Sequence, residues 1–284
     1  MINEKAMIVK LSISQWTARK YDRGITQNVE SIYNAEGSGR WNKMLIADTI
    51  LKKIASIANE ARTYHYNATL PWGPDTWILP VEMYPTYDAK MKGYMSSFNE
   101  IVEDEFIPAY PNLVEDARAR LNGMYRDDDY PHSGVIRNKF KFVVAYYPIP
   151  AAGDFRVNLA EEEVQSIRQK ISDEMEKLQQ EANQHLWNRL YDAVSHMSER
   201  LMEKNLVFRN SLVGNVREVC DMLKYLNITG DVELEEMRQR VEEQLTISEP
   251  DELRKSPLMR EATAKDASKL LADIETYGKR RIRL

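Results

Sequence analysis

Lysine and arginine interleave with aromatic residues at four places in the first half of the chain, and this is the pattern from which chemistry reads most directly. Trp16, Arg19, Lys20, Tyr21 and Arg23 form one group, and Arg40, Trp41 and Lys43 form another beside two glycines. Arg62, Tyr64, His65 and Tyr66 make a third, and Arg137, Lys139, Phe140, Lys141 and Phe142 a fourth. Single-stranded nucleic acid is held by this combination: cations meet phosphates, and exposed rings stack on bases for about 1–3 kcal/mol each. The segments 16–23 and 40–43 carry the prediction, with Trp16, Arg19, Lys20, Arg40, Trp41 and Lys43 as the expected contacts to single-stranded DNA. The opposing reading makes the rings core and the charges a solvated outer face. It weighs most on the fourth group, where Lys139 and Lys141 alternate away from the rings.

Other chemistry is thinner. EGSGR at 36–40 could cradle a phosphate through backbone N–H groups if a helix starts near residue 42. It lacks the Lys-Ser/Thr ending of a phosphate loop, and a surface loop is the favoured reading. Asp127, Asp128, Asp129 and His132 are the tightest group of possible metal ligands. Adjacent carboxylates cannot all point at one ion, so a solvated turn is expected, with a Mg²⁺-dependent nuclease as the minor alternative. The four histidines include no i, i+4 pair, and His185 and His196 are expected to flank packing residues. Cys220, the single cysteine, sits among Val216, Val219 and Leu223 and reads as a buried small hydrophobe. No catalytic constellation, metal centre or cofactor motif emerges, so the chain is expected not to be an enzyme.

The elements that position these residues follow from periodicity. Hydrophobic residues at 43% and charged residues at 29% fit a globular chain of 284 residues. One cysteine rules out an intrachain disulfide, no apolar run approaches the roughly 18–20 residues of a membrane span, and the start lacks a signal-peptide layout. A cytoplasmic protein that does not enter membranes is expected. The net charge of −5 hides an asymmetry: residues 1–62 hold ten Lys/Arg against six Asp/Glu, whereas 151–284 hold 21 against 26. Twenty of the 26 aromatic residues precede residue 148, which suggests an aromatic-rich α+β module over 1–158 and a long-helical region over 159–284.

Met7, Val9, Leu11 and Ile13 alternate as in a strand, and Phe140, Phe142, Val144 and Tyr146 give the clearest strand of all. Phe155, Val157 and Leu159 suggest another, and 69–80 a loop or broken edge strand. Helices are expected at 42–61, at 87–106 ending before Pro108, and at 112–125. The fold class is therefore α+β: a small, mainly antiparallel sheet with covering helices, followed by a long-helix or helical-bundle region. In that region Asn158 is the expected N-cap, with Glu161 three residues on. From Val164 to Leu201 apolar residues recur at spacings of 3, 4, 4, 3, 4, 4, 4, 3, 4 and 4. This eleven-residue period is about 3.67 residues per turn, the mark of one long helix with a nearly straight seam. That helix either self-associates or forms a bundle with helices expected at 211–227, 231–246 and 256–277. The terminal KRRIRL could touch phosphate or an acidic partner.

The opening KLSISQWTARKYD at 10–22, with a long charged helix later, resembles an uncharacterised family encoded by bacteriophages and integrative elements beside MoxR/CobS-type AAA+ ATPases and recombination genes. The resemblance implies a phage or mobile-element setting, with DNA metabolism or an ATPase partnership as its contexts. Two expectations result. One is a non-enzymatic, homo-oligomeric protein that binds single-stranded DNA. The other is an interaction module acting through the helical half, as an adaptor or partner of an AAA+ ATPase or as a structural oligomer.

Overall fold

A computed structural model describes residues 2–47, 49–151, 153, 160–203 and 208–281. Along the chain it places α1 (Ile2–Lys5), β1 (Ala6–Ser14), β2 (Arg19–Tyr21), α2 (Arg23–Tyr33), β3 (Asn42–Met44), α3 (Thr49–Ala68), β4 (Leu70–Pro71) and β5 (Trp77–Pro80). There follow α4 (Tyr84–Glu100), α5 (Ile107–Leu121), α6 (Ser133–Arg137), β6 (Lys141–Tyr147) and α7 (Glu161–Met202). The chain ends with α8 (Ser211–Leu226), α9 (Val232–Leu245), α10 (Pro250–Lys255) and α11 (Pro257–Arg281). One sheet has the order β4-β5-β1-β6, and β2 pairs with β3 in a separate two-stranded ribbon. Val9 lies opposite Trp77 in the antiparallel β1–β5 pair, and Leu70 lies opposite Ile78 in β4–β5. The fold is thus α+β, with the first and last strands of the aromatic-rich half side by side. No helix among the described residues is long and apolar enough to cross a membrane.

Two compact units divide the chain, and they do not part at residue 158. One comprises 1–10, 66–87 and 146–284, and the other 11–65 and 88–145. The reason lies in what packs on β4 and β5, since α7 lies against β4 and α8 against β5. These strands belong with the helical region although the sequence places them in the aromatic-rich half.

In the first unit, α7, α8, α9 and α11 form a bundle. Its helix α7 has 42 residues, roughly 63 Å at 1.5 Å per residue. Leu186, Leu190, Val194, Met197 and Leu201 are buried along its second half. Trp187 stacks on Tyr277 with ring centroids 6.1 Å apart, Tyr191 Oη donates to Glu275 at 3.2 Å, and Ser198 meets Ser268 at 3.3 Å. Numbers rise on one helix as they fall on the other, so α7 and α11 are antiparallel. Cys220 is fully buried, and burial pushes its thiol up to about 12. The N-cap of α7 is Ala160, whose methyl cannot cap; Glu161, Glu162 and Glu163 instead place negative charge at the positive end of the helix dipole. The expected cap Asn158, the strand through Phe155, Val157 and Leu159, and the last three residues of KRRIRL lie outside the described residues.

The second unit has an aromatic core. Phe106 meets Phe140 at 5.2 Å and Phe98 meets Phe142 at 5.7 Å, both edge to face. Such pairs contribute about 0.5–1.5 kcal/mol beyond burial itself. Two expectations fail here for backbone reasons. Residues 42–44 are a strand, and the helix expected from 42 begins at Thr49. Pro108 does not end a helix either: residues 101–106 form a π-helical turn, with Ile107 N–H bonded to Val102 O, and α5 continues from it. A wide turn places the proline in the first turn of the next helix, where no N–H is needed.

Candidate nucleic-acid interface

The β2–β3 ribbon is built by short-range chemistry. Ala18 takes a left-handed conformation (φ 50°) and redirects the chain from β1 into β2, while its carbonyl accepts from Leu45 N–H at 2.7 Å. Asp22 caps α2, accepting from Ile25 N–H at 3.1 Å. Thr26 is buried and ties the helix to the ribbon, donating to Asp22 O at 2.8 Å and accepting from Trp41 N–H at 3.0 Å. The antiparallel register sets Arg19 opposite Met44, Lys20 opposite Lys43 and Tyr21 opposite Asn42.

This register sorts the predicted contacts, because side chains alternate between the two faces of a strand. Lys20 and Lys43 share one face directly across from each other, a destabilising arrangement for like charges unless an anion intervenes. Asp129 intervenes: its carboxylate receives Lys20 Nζ at 2.6 Å and Lys43 Nζ at 2.5 Å. Lys43 Nζ also donates to Met124 O at 2.9 Å and lies 3.7 Å from Asp22. The Lys43 side chain is only 3% exposed, against 53% for Lys20. Lys43 is therefore withdrawn from the expected contact set, its charge neutralised inside the protein. Burial alone would raise the Asp129 carboxyl, but the bonds and charges of Lys20 and Lys43 prevail and hold it below the usual carboxylate range.

Arg19 and Tyr21 occupy the other face of β2. Arg19 is exposed and makes no hydrogen bond or ion pair among the described residues. The Arg40 guanidinium lies 4.4 Å from the centre of the exposed Tyr21 ring, and Trp41 is 47% exposed. Trp16 is elsewhere in the unit, leaning on Phe106 (6.3 Å) and Tyr110 (5.9 Å). The structure thus puts Arg19 on the face where Arg40 covers Tyr21, and Lys20 on the opposite face, while Trp41, across from Asp22, is exposed next to Arg40 in the chain. It adds α2, a helix not among those expected from the sequence. Ile25, Val29, Ile32 and Tyr33 recur at helical spacing there, yet Ile32 and Tyr33 are 73% and 74% exposed. Asp22 as a cap before that spacing was the signal available for it.

The last turn of α5 and the segment after it brace the ribbon. Arg120 donates to Met44 O (2.8 Å) and Leu45 O (3.0 Å), and Tyr130 Oη donates to Leu45 O at 3.0 Å. Asp127 and Asp128 are exposed, as expected of a solvated turn, but Asp129 is not. Asp127 pairs with Arg118 at 2.9 Å, so these carboxylates face different cations and do not converge. Among the described residues no group of three His, Cys, Asp or Glu could hold a metal ion. The 36–40 loop leads into a strand rather than a helix, so no helix N-terminus stands behind it. The third basic-aromatic group is turned inward: Arg62 donates to Ile13 O at 2.9 Å, and burial lowers His65 to about 4. In the fourth, Phe140 and Phe142 are core and Arg137 pairs with Glu103.

The other unit has a cavity of about 810 Å³ between α7 and α8, lined in part by Tyr66, Trp77, His185, Arg189, Asp192 and His196. The two histidines edge this cavity, each beside a buried residue of the α7 seam, Leu186 and Met197. Arg189 bonds the carbonyls of Tyr66 (2.6 Å), Asn67 (2.9 Å) and Thr69 (2.6 Å), closing the end of α3, and burial lowers it to about 10. Comparison with known proteins gives no significant match, whether to a family model, a curated protein or a solved structure.

Proposed function

We propose that this protein is a non-enzymatic component of phage or mobile-element DNA metabolism that binds single-stranded DNA through the outward face of the β2–β3 ribbon. The observation that carries this reading is the Arg40 guanidinium over the exposed Tyr21 ring, on the face that also carries Arg19, which has no partner among the described residues. A planar cation on a ring offers a surface on which a base stacks, while neighbouring guanidinium groups meet the phosphates. Because no acid among the described residues pairs with Arg19, a phosphate there displaces water and counterions rather than a carboxylate. The phage setting rests on residues 10–22, which include the first half of this ribbon.

Intrinsic fluorescence tests the reading. Trp72 and Trp187 are buried and Trp16 and Trp77 half-buried, so a large share of any quenching by an oligothymidylate should come from the exposed Trp41. Saturable quenching that is reduced in Trp41→Ala, with affinity down about tenfold, is expected. Undiminished quenching in that variant would place the contact elsewhere.

One observation supports homo-oligomerisation, the second reading. The cross-helix contacts described for α7, from Asn183–Thr229 to Leu201–Arg260, fall in its second half. Ile167, Ile171, Met175 and Leu178 continue the stripe through the first half and are only half-buried. If these residues join two copies, Ile171→Lys with Met175→Lys converts an oligomer to a monomer in sedimentation. A wild-type monomer at micromolar concentration removes the idea.

A further inference from the structure

Trp16 does not share the ribbon's outward face, yet it bounds a cavity that reaches that face. The cavity, about 400 Å³, is lined in part by Trp16, Arg19, Met44, Ile46, Thr49 and Lys52. Arg19 and Met44 are cross-strand partners in the ribbon, so the outer end of the β2–β3 pair is also the cavity's rim. This volume lies within the roughly 300–1,000 Å³ of sites that enclose small organic ligands.

The wall chemistry is divided. Trp16 is fixed in place by Phe106 and by Tyr110, which meets it at an interplanar angle of 73°, and Ile46 is buried beside it. Gln15, Thr17 and Thr49 are uncharged polar residues of a lining that is apolar apart from them, Arg19 and Lys52. Arg19 and Lys52 are both exposed, and neither has a hydrogen-bond or ion-pair partner among the described residues. Such a site suits a ligand that is flat and weakly polar at one end and anionic at the other. A nucleotide unit has that form, with its base against Trp16 and its phosphate between Arg19 and Lys52.

We propose that this cavity receives one base of the DNA strand bound on the ribbon, an inference that rests on the ribbon reading above. It turns a flat stacking surface into a two-part site, in which Arg40 and Tyr21 hold the strand and Trp16 receives a base turned out of it. Lys52, on α3, enters the contact set although sequence reasoning left it out.

A short oligothymidylate carrying one 2-aminopurine tests this in the full-length protein. Binding is read by anisotropy of an end label, and base insertion by 2-aminopurine emission. The expected result is saturable binding with a saturable emission change, the change being lost in Ala55→Leu, which narrows the cavity, with affinity about tenfold weaker. Ala47→Ile, at an exposed position on the same cavity, repeats the measurement if Ala55→Leu does not fold. Binding without an emission change, or an emission change that survives both variants, overturns the cavity assignment and leaves the ribbon reading intact. Absence of binding overturns both. A free 2-aminopurine nucleotide that binds as tightly as the strand overturns the assignment in favour of a mononucleotide site.

Discussion

The outward face of the β2–β3 ribbon and the helical bundle dispose of their cations in opposite ways. In the bundle, Arg238 is buried between Glu235 (2.7 Å) and Glu242 (2.5 Å), and Arg240 holds Asp273 at 2.6 Å. Arg260 donates to Leu201 O at 2.9 Å, joining α11 to the last turn of α7. On the ribbon, Arg19 has no partner among the described residues, and Arg40 rests on an aromatic ring. The difference teaches what a positive charge is for: a paired guanidinium holds elements together, whereas an unpaired one beside exposed rings keeps its charge for an anion from outside. The ribbon contains both kinds, with Lys43 as its internal tie and Arg19 as its outward cation.

Breaking the internal tie should have the largest effect. Asp129→Ala leaves Lys43 buried without its nearest counter-charge, and unfolding by urea should show a loss of about 3–5 kcal/mol. Replacing the pair together, Asp129→Leu with Lys43→Met, should recover most of it, since apolar side chains carry no uncompensated charge. A loss below about 1 kcal/mol for the single variant would mean that the ribbon is not held from beneath.

Acid should probe the same unit at a second place. Burial lowers His65 to about 4, below its value near 6.5 in an unfolded chain. The unfolded state therefore takes up a proton first. The His65 contribution is fully present above pH 6.5 and falls by roughly 3 kcal/mol as the pH drops to 4. His65→Gln should flatten that part of the pH profile, and an unchanged slope would contradict the buried neutral imidazole. Asp129, held below the usual carboxylate range, contributes above about pH 4 and loses that contribution on further acidification.

The smallest effect sharpens the contrast from the other side. Lys53 and Glu105 form an ion pair at 2.8 Å with both side chains well exposed. Lys53→Ala should change stability by about 0.5 kcal/mol or less. A larger loss would show that surface pairing, rather than burial, separates the two kinds of cation.

Local spacing explains how much of this was legible in the sequence. The helices at 211–226, 232–245 and 257–281 lie close to where the i, i+4 pattern puts them, and α7 runs from 161 to 202 as its eleven-residue period requires. Each signal is complete within its own segment. The ribbon is different: β2 and β3 have three residues each, too few for a period to show, and their pairing spans the whole of α2. The helix expected from residue 42 overran β3 because nothing nearby marks Asn42–Met44 as a strand. Lys43 and Arg19 were equally good candidates in the sequence, since what parts them is Asp129, 86 positions beyond Lys43. Arg40 and Trp41 are neighbours in the sequence, but the ring beneath Arg40, Tyr21, comes from another strand.

The most direct test of the outward ribbon face is the salt dependence of oligothymidylate binding, compared between the wild-type chain and Arg19→Ala with Arg40→Ala. For the wild type, log affinity should fall linearly with log salt, and the double variant should bind about tenfold more weakly with a slope shallower by roughly 1.4, two phosphate contacts at about 0.7 each. Equal affinity and equal slope in the two proteins would contradict the account, because the cations left unpaired by the fold would then not be the ones that meet the phosphates.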